Sequence, residues 1–189
     1  GHALSRHLRI SWDGVADRSV AKITFPDSGY TILRGRSSSP FRLVLDHGTL
    51  GMPPCFAHGH ADALSVNLYC GEKEILIDPG TYTYTGDAAW RTYFRGTRAH
   101  NTVIVDRLDQ AVQETAFLWS QPFGTQLIYR KATPDGAVTV IASHNGYEER
   151  LGVIHWRAVA YEPAGRWLIW DYLSGSGSHH LELNWHLAV

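Results

Sequence analysis

The sequence predicts an all-β protein folded as an antiparallel β-sandwich, and three observations carry that expectation. Apolar and polar residues alternate with a period of two along most of the chain, the signature of strands with one buried and one exposed face. Gly, Pro and Asp punctuate those segments at short intervals, as turns require. Helical periodicity is nearly absent; 87–96 is the one plausible helical turn or long loop. About nine or ten short strands at this spacing favour two stacked sheets.

The elements follow in order. Residues 1–22 read as a polar lead-in, with some alternation in "HLRISW", and Gly1-His2 resembles a tag remnant. "YTILRG" (Tyr30–Gly35) and "FRLVLDHG" (Phe41–Gly48) are strands separated by the loop "RSSSP". "ALSVNLYC" (Ala63–Cys70) alternates, with Val66 and Leu68 on one face and Ser65, Asn67 and Tyr69 on the other. After the turn "GEK", the apolar run "EILIDPG" suits a strand buried on both sides. "HNTVIVD", "TQLIYRKA", "AVTVIASHNG" and "LGVIHWRAVAYE" continue the pattern. "PAG" (Pro163–Gly165) turns the chain into "RWLIWDYLSG". "HHLELNW" reads as a last strand within which the chain stops, so one domain is expected over 23–189, an excised piece of a larger protein.

Composition narrows the function. At 189 residues the chain can bury a substantial core, and 44% hydrophobic with 19% charged residues is ordinary for a folded domain. A formal net charge of -1 gives no global field for nucleic acid or an acidic membrane. Its apolar runs are strand-length, too short to cross a bilayer as helices. Cys70 sits in an apolar strand as a small buried side chain; a disulfide to Cys55 is open. Eleven histidines and seven tryptophans are the unusual feature.

The histidines pose the functional question. His58 and His60 flank Gly59, and Asp62 follows two residues on. On extended backbone, side chains two apart point to one face, so both imidazoles can reach one cavity. The glycine permits a bend or a close approach. Asp78 ends the run "EILID", where a carboxylate at a buried strand tip needs a partner. His100 opens "HNTVIVD" at another strand mouth. Two imidazoles and a carboxylate are a common zinc set with a position left open; His144 in "SHNGYE" rivals His100 as the third ligand. Tyr82 and Tyr84 in "TYTYTG", with Tyr93 beyond, suit packing, hydrogen bonding or acid–base work. Arg91, Arg95 and Arg98 crowd the same loop, either to bind a carboxylate or sulfate or as solvated charge. His155, His179, His180 and His186 alternate with apolar neighbours and read as sheet-surface residues.

In order, "FPDSGYTILR", "HGHADALSVNLY", "LIDPGTYTY", "YFRGTRAHNTVIVD" and "DQ" at Asp109-Gln110 closely resemble the heparinase II/III-like family of polysaccharide lyases, from about Phe25 to the end of the chain. The resemblance implies a supersandwich-like β-domain that follows an α/α-toroid domain not contained in this sequence. It also implies β-elimination across a uronic-acid glycosidic bond in an acidic polysaccharide, a glycosaminoglycan or alginate. It implies one zinc ion on His60, Asp78 and His100, with His58 facing the substrate and Tyr82 beside it. Other acid, base and carboxylate-neutralising residues, it implies, come from the toroid, so the piece alone is expected to be inactive. A bacterial, periplasmic or secreted parent is expected on the same ground. Two other functions compete: a non-catalytic carbohydrate-binding sandwich stacking sugars on Trp90, Trp119, Trp156, Trp167, Trp170 or Trp185, and a zinc hydrolase with metal-bound water.

Overall fold

The computed structural model describes residues 7–11, 20–35, 41–162 and 165–189. In chain order its strands are β1 (His7–Ser11), β2 (Val20–Phe25), β3 (Tyr30–Gly35), β4 (Phe41–Asp46), β5 (Val66–Cys70), β6 (Lys73–Leu76) and β7 (Val103–Val105). They continue with β8 (Val112–Thr115), β9 (Leu118–Ser120), β10 (Thr125–Ala132), β11 (Val138–Tyr147), β12 (Val153–Glu162), β13 (Arg166–Ser174) and β14 (Leu181–Leu183). Helix α1 spans Ala88–Arg95 and a short α2 spans Glu148–Leu151. The loop "RSSSP" and the Pro163-Ala164 part of the "PAG" turn lie outside the described residues.

Two five-stranded sheets carry the fold, in the orders β2-β3-β4-β5-β6 and β1-β13-β12-β11-β10, with every pairing antiparallel. Their inner faces meet in one core. Leu33, Leu43, Leu45, Val66, Leu68 and Leu76 from the first sheet pack with Val138, Val140, Val159, Tyr161, Trp167 and Ile169 from the second. Each such side chain contributes about 1.5–3 kcal/mol by leaving water. This is the sandwich that the alternation predicts.

Several sequence expectations need correction. The lead-in is not wholly outside the fold: β1 pairs along its length with β13, because a short alternating run is enough to satisfy an open sheet edge. The run "EILID" is not buried on both faces. It is an edge strand with Lys73 and Glu74 exposed, and its outer side takes up the chain end through the Leu76–Leu187 bridge and the Ile77 N–H to His186 carbonyl bond. The short pair β8–β9 has too few residues to show a period. Both cysteines are free thiols, Cys55 exposed and Cys70 half-buried.

The stretch 87–96 does form a helix. The Asp87 carboxylate caps it, accepting from the N–H groups of Ala89 and Trp90 at 2.8 and 3.1 Å. Arg91 and Arg95, four apart, share its buried face. No helix among the described residues is long and apolar enough to cross a membrane.

Candidate metal and substrate site

Antiparallel order explains how distant residues meet. The end of β4, the start of β5 and the end of β6 lie at the same edge of one sheet, since Leu45 pairs with Val66 and Leu68 with Leu76. Asp46 closes β4, Asp62 precedes β5 and Asp78 follows β6, so three carboxylates gather there. His100 arrives from the short 3-10 turn Thr97–Ala99 just before β7.

The central contact joins His100 Nδ1 to Asp78 Oδ2 at 2.5 Å, with the His100 side chain fully buried. The other oxygen of Asp78 accepts from the Gly80 N–H at 2.8 Å. The His60 ring lies 5.3 Å from that of His100, and its Nε2 is 3.3 Å from Thr81 Oγ1. His60, Asp62 and His100 each bring a potential ligand atom within 4.8 Å of the others. His100 Nε2 is buried without a hydrogen-bond partner among the described residues.

Protonation follows from this packing. Burial, then the neighbouring His100, lowers His60 to about 4, so its ring is neutral near neutral pH. Burial alone would lower His100 too, but the Asp78 hydrogen bond and the Asp62 and Asp78 charges outweigh it and raise the imidazole. Asp78 is resisted by burial yet held below the usual carboxylate range by His100. Burial raises Asp62 to about 6. Burial and then the Asp62 charge raise Asp46 to about 7. Neutral imidazole, an orphaned ring nitrogen and a surplus of carboxyls make a donor set that fits a divalent cation such as zinc.

Above this floor opens a cavity of about 520 Å³, whose lining includes Tyr30, Asp46, Leu50, His58, His60 and Asp62. Both histidines of H-G-H therefore reach one cavity. Gly59 is required between them: a Cβ there would lie 1.8 Å from the Leu50 carbonyl oxygen. Its own carbonyl accepts from Trp119 Nε1 at 3.0 Å and from Arg95 Nε at 3.5 Å.

The remaining candidates fall into place differently. The ring beside His58 is Tyr84, 5.8 Å away, whereas Tyr82 is 67% exposed and stacks on Phe94 at 5.0 Å. A residue offset cannot foresee this, because Tyr82 takes a positive φ of 61° that breaks the extended path. Arg91 and Arg95 are not solvated; they are 2% and 0% exposed. Arg95 Nη1 donates to the Thr115 and Ala116 carbonyls at 3.1 and 2.5 Å, and its guanidinium lies over Trp119 at 4.6 Å. Arg91 Nε donates to the Ala116 carbonyl at 3.3 Å, with its guanidinium over Tyr84 at 5.0 Å. The helix face that carries them turns onto the β8–β9 hairpin rather than outward. Arg98 forms a surface pair with Glu182 at 2.8 Å. Tyr93 packs edge-on against Trp90 and Phe94.

His144 is engaged elsewhere, bonded to His155 at 3.0 Å and to the Gly146 N–H at 3.1 Å, so His100 is the histidine that joins the cluster. His155 is fully buried, not on the sheet surface; it shares parity with Val153 and Val159 on the inner face. Trp119 and Trp167, 2% and 5% exposed, are closed to sugar stacking. Asp62 is the site residue that the ligand expectation left out. Its signal is the same period of two that places His58 and His60 on one face.

Comparison with known proteins bears on family and fold. A heparin-sulfate lyase from Bacteroides stercoris is 25% identical over 169 residues, covering 86% of this chain and 22% of that protein. A solved heparinase III gene product superposes with a TM-score of 0.72 at 21% identity over 89% of this chain and 24% of its own. A heparan sulfate lyase from Pedobacter heparinus gives 0.70 at 20% over 88% and 24%. At these identities the likeness to solved structures is one of fold, and the chain spans about a quarter of the length of the relatives it matches. The profile of the family described as heparinase II/III-like, C-terminal, matches residues 17–189, and with nearly the whole chain matched, the protein belongs to the heparinase II/III-like C-terminal family.

Proposed function

We propose that this chain is the β-sandwich portion of a polysaccharide lyase that cleaves a uronic-acid-containing acidic polysaccharide by β-elimination. The observation that supports it is the cavity that brings His58 together with His60 and Asp62, with His100 beside them and bonded to Asp78, within a chain of this family. A zinc ion belongs to the proposal, held by His60, Asp78 and His100 with Asp62 adjacent. When bound, it would supply positive charge that offsets the carboxyl-rich floor and braces the site. Without such a cation, three carboxyls would repel an acidic chain.

Elimination needs a base to take the proton at C5 of the uronate. The electrons of that C–H bond become the C4–C5 double bond as the C4–O bond breaks, and an acid protonates the departing oxygen. His58 is exposed on the cavity wall and free of structural hydrogen bonds among the described residues, so it faces the substrate. The partnering loop tyrosine is Tyr84 by placement; Tyr82 stands one stack further out. Arg95 Nε and Nη1 are committed to backbone carbonyls, and the free Nη donors of Arg91 and Arg95 are buried, so exposed donors that neutralise the uronate carboxylate are assigned to a longer parent. The chain alone is therefore expected to be inactive.

The test is an assay of the longer parent on heparin-like and alginate-like polymers, read at the absorbance of the new double bond. Unsaturated product that disappears in a His58→Ala parent supports the proposal. Saturated product points to hydrolysis, and no product from any uronate polymer removes the lyase reading. A binding-only role has one favouring observation: Tyr82, Trp90 and Tyr93 form an exposed aromatic cluster. Glycan binding by the chain with an inactive parent would select it.

A further inference from the structure

Four inward-facing polar residues interrupt the apolar face of the second sheet, and one is His144, which takes the parity of Val138 and Val140 on β11. On β12, His155 and Arg157 take the parity of Val153, Val159 and Tyr161; on β13, Asp171 takes that of Trp167 and Ile169. Buried charge at such positions is costly unless fully partnered. The partners are present. Arg157 and Asp171 are direct cross-strand neighbours, as are His144 and His155.

The hydrogen bonds run in one direction. The Gly146 N–H donates to His144 Nδ1 at 3.1 Å, so the proton of a neutral His144 sits on Nε2. That nitrogen donates to His155 Nδ1 at 3.0 Å, which leaves the His155 proton on Nε2, donating to Asp171 Oδ1 at 2.7 Å. Arg157 Nε and Nη2 complete the carboxylate at 2.7 and 3.0 Å. Asp171 thus accepts three hydrogen bonds and the Arg157 fork is fixed.

One arm of Arg157 remains, and it leaves the network. Nη1 donates to the Leu64 carbonyl at 2.7 Å and to the Asn101 carbonyl at 2.5 Å. Leu64 lies two residues from Asp62, and Asn101 is the neighbour of His100. The Asn101 side chain in turn donates to the Val66 and Ile77 carbonyls at 2.9 and 2.8 Å, and Ile77 precedes Asp78. A single guanidinium in one sheet therefore grips two of the three backbone segments that supply the cluster in the other, and the third is tied in through the Asn101 side chain.

We propose that Arg157, locked by Asp171 and His155, is the positioning residue of the candidate site, setting the spacing of Asp62, Asp78 and His100. This rests on reading that cluster as the working site. Lysine cannot replace it: one ammonium cannot hold a bidentate carboxylate and two carbonyls at once.

The test compares Arg157→Lys and Asp171→Asn with Val140→Ala, a core truncation in the same sheet whose cross-strand partner is Val159 rather than a network member. Two readouts are taken on the chain: NMR signals of the His60 and His100 rings in metal-free protein at one fixed pH, and zinc affinity by competition with a chelating dye. Both network variants are expected to shift the ring signals and weaken zinc about 10–100-fold, the usual effect of losing support around a metal ligand. Val140→Ala should lower the melting temperature and leave both readouts in place. Network variants that melt like Val140→Ala with unmoved rings and unchanged affinity would overturn the proposal. If Arg157→Lys does not fold, Asp171→Asn, which keeps the carboxylate's shape, carries the comparison. If the parent chain binds no zinc, the metal reading fails, and the metal-free ring signals still decide the positioning role.

Discussion

Replacing Gly59 by Ala places a methyl group where the backbone leaves no room. Its Cβ would lie 1.8 Å from the Leu50 carbonyl oxygen, 3.0 Å from the carbonyl carbon and 3.1 Å from the Phe56 carbonyl oxygen. Ordinary contact begins at 3.4 Å, so the chain must open by about 1.6 Å, the difference 3.4 − 1.8. The obstacle is main chain, which cannot rotate away like a side chain. Leu50 is itself locked in a cluster with Ala61, Ala63, Trp119 and Phe123. Overpacking of this kind costs about 1–3 kcal/mol. The shift also strains the bond from Trp119 Nε1 to the Gly59 carbonyl, where an unmade buried bond costs about 1–3 kcal/mol more. A loss of about 2–6 kcal/mol is therefore expected, against total stabilities of about 5–15 kcal/mol. Guanidinium denaturation of the purified chain measures it, and zinc affinity should fall as well because His58 and His60 flank the strained residue. A loss below about 1 kcal/mol with unchanged affinity would refute the steric reasoning.

Chain purified without nickel should carry about one zinc per molecule, and His60→Ala, Asp78→Ala and His100→Ala should each lose it by elemental analysis. Asp46 titrates at about 7 in the folded chain against 3.8 for the free group. A raised carboxyl favours the folded state while protonated, so this stabilisation is full below about pH 4 and is lost as pH rises through about 7. The stability difference between metal-free chain and its Asp46→Asn variant, measured by denaturation at pH 5 and pH 8, should fall by on the order of a few kcal/mol over that range, since each tenfold change in proton affinity on folding is worth about 1.4 kcal/mol; the lowered His60 acts in the opposite sense in both proteins and drops out of the comparison. Arg98→Ala removes an exposed pair whose arginine is half exposed, and it should change stability by less than about 1 kcal/mol and leave zinc content unaltered, as melting and elemental analysis will report.

Much of this architecture is legible in one dimension. Val66 and Leu68 fall on the buried face as their alternation requires, and the strands from Thr125 to Ser174 follow the segments that alternation marks. The helix at 88–95 lies where the period changes. Less legible are elements whose partners, not composition, define them. β1 is a strand because the β13 edge is open beside it, and β6 ends its sheet with only the segment 186–188 bonded along its outer side. His155 illustrates the limit well: alternation puts it on a face, but only the opposing sheet makes that face the inner one.

The sequence by itself determined the strand period, the turn positions and a set of imidazoles and carboxylates at strand ends, because these depend on neighbours one to four residues apart. Tertiary structure alone decided that Asp62 joins the set, that Tyr84 rather than Tyr82 meets His58, and that Arg91 and Arg95 turn inward. It also decided that Arg157 reaches across the sandwich to Leu64 and Asn101. Those outcomes depend on which antiparallel ends coincide and on where buried donors find carbonyls, and neither quantity is a function of separation along the chain.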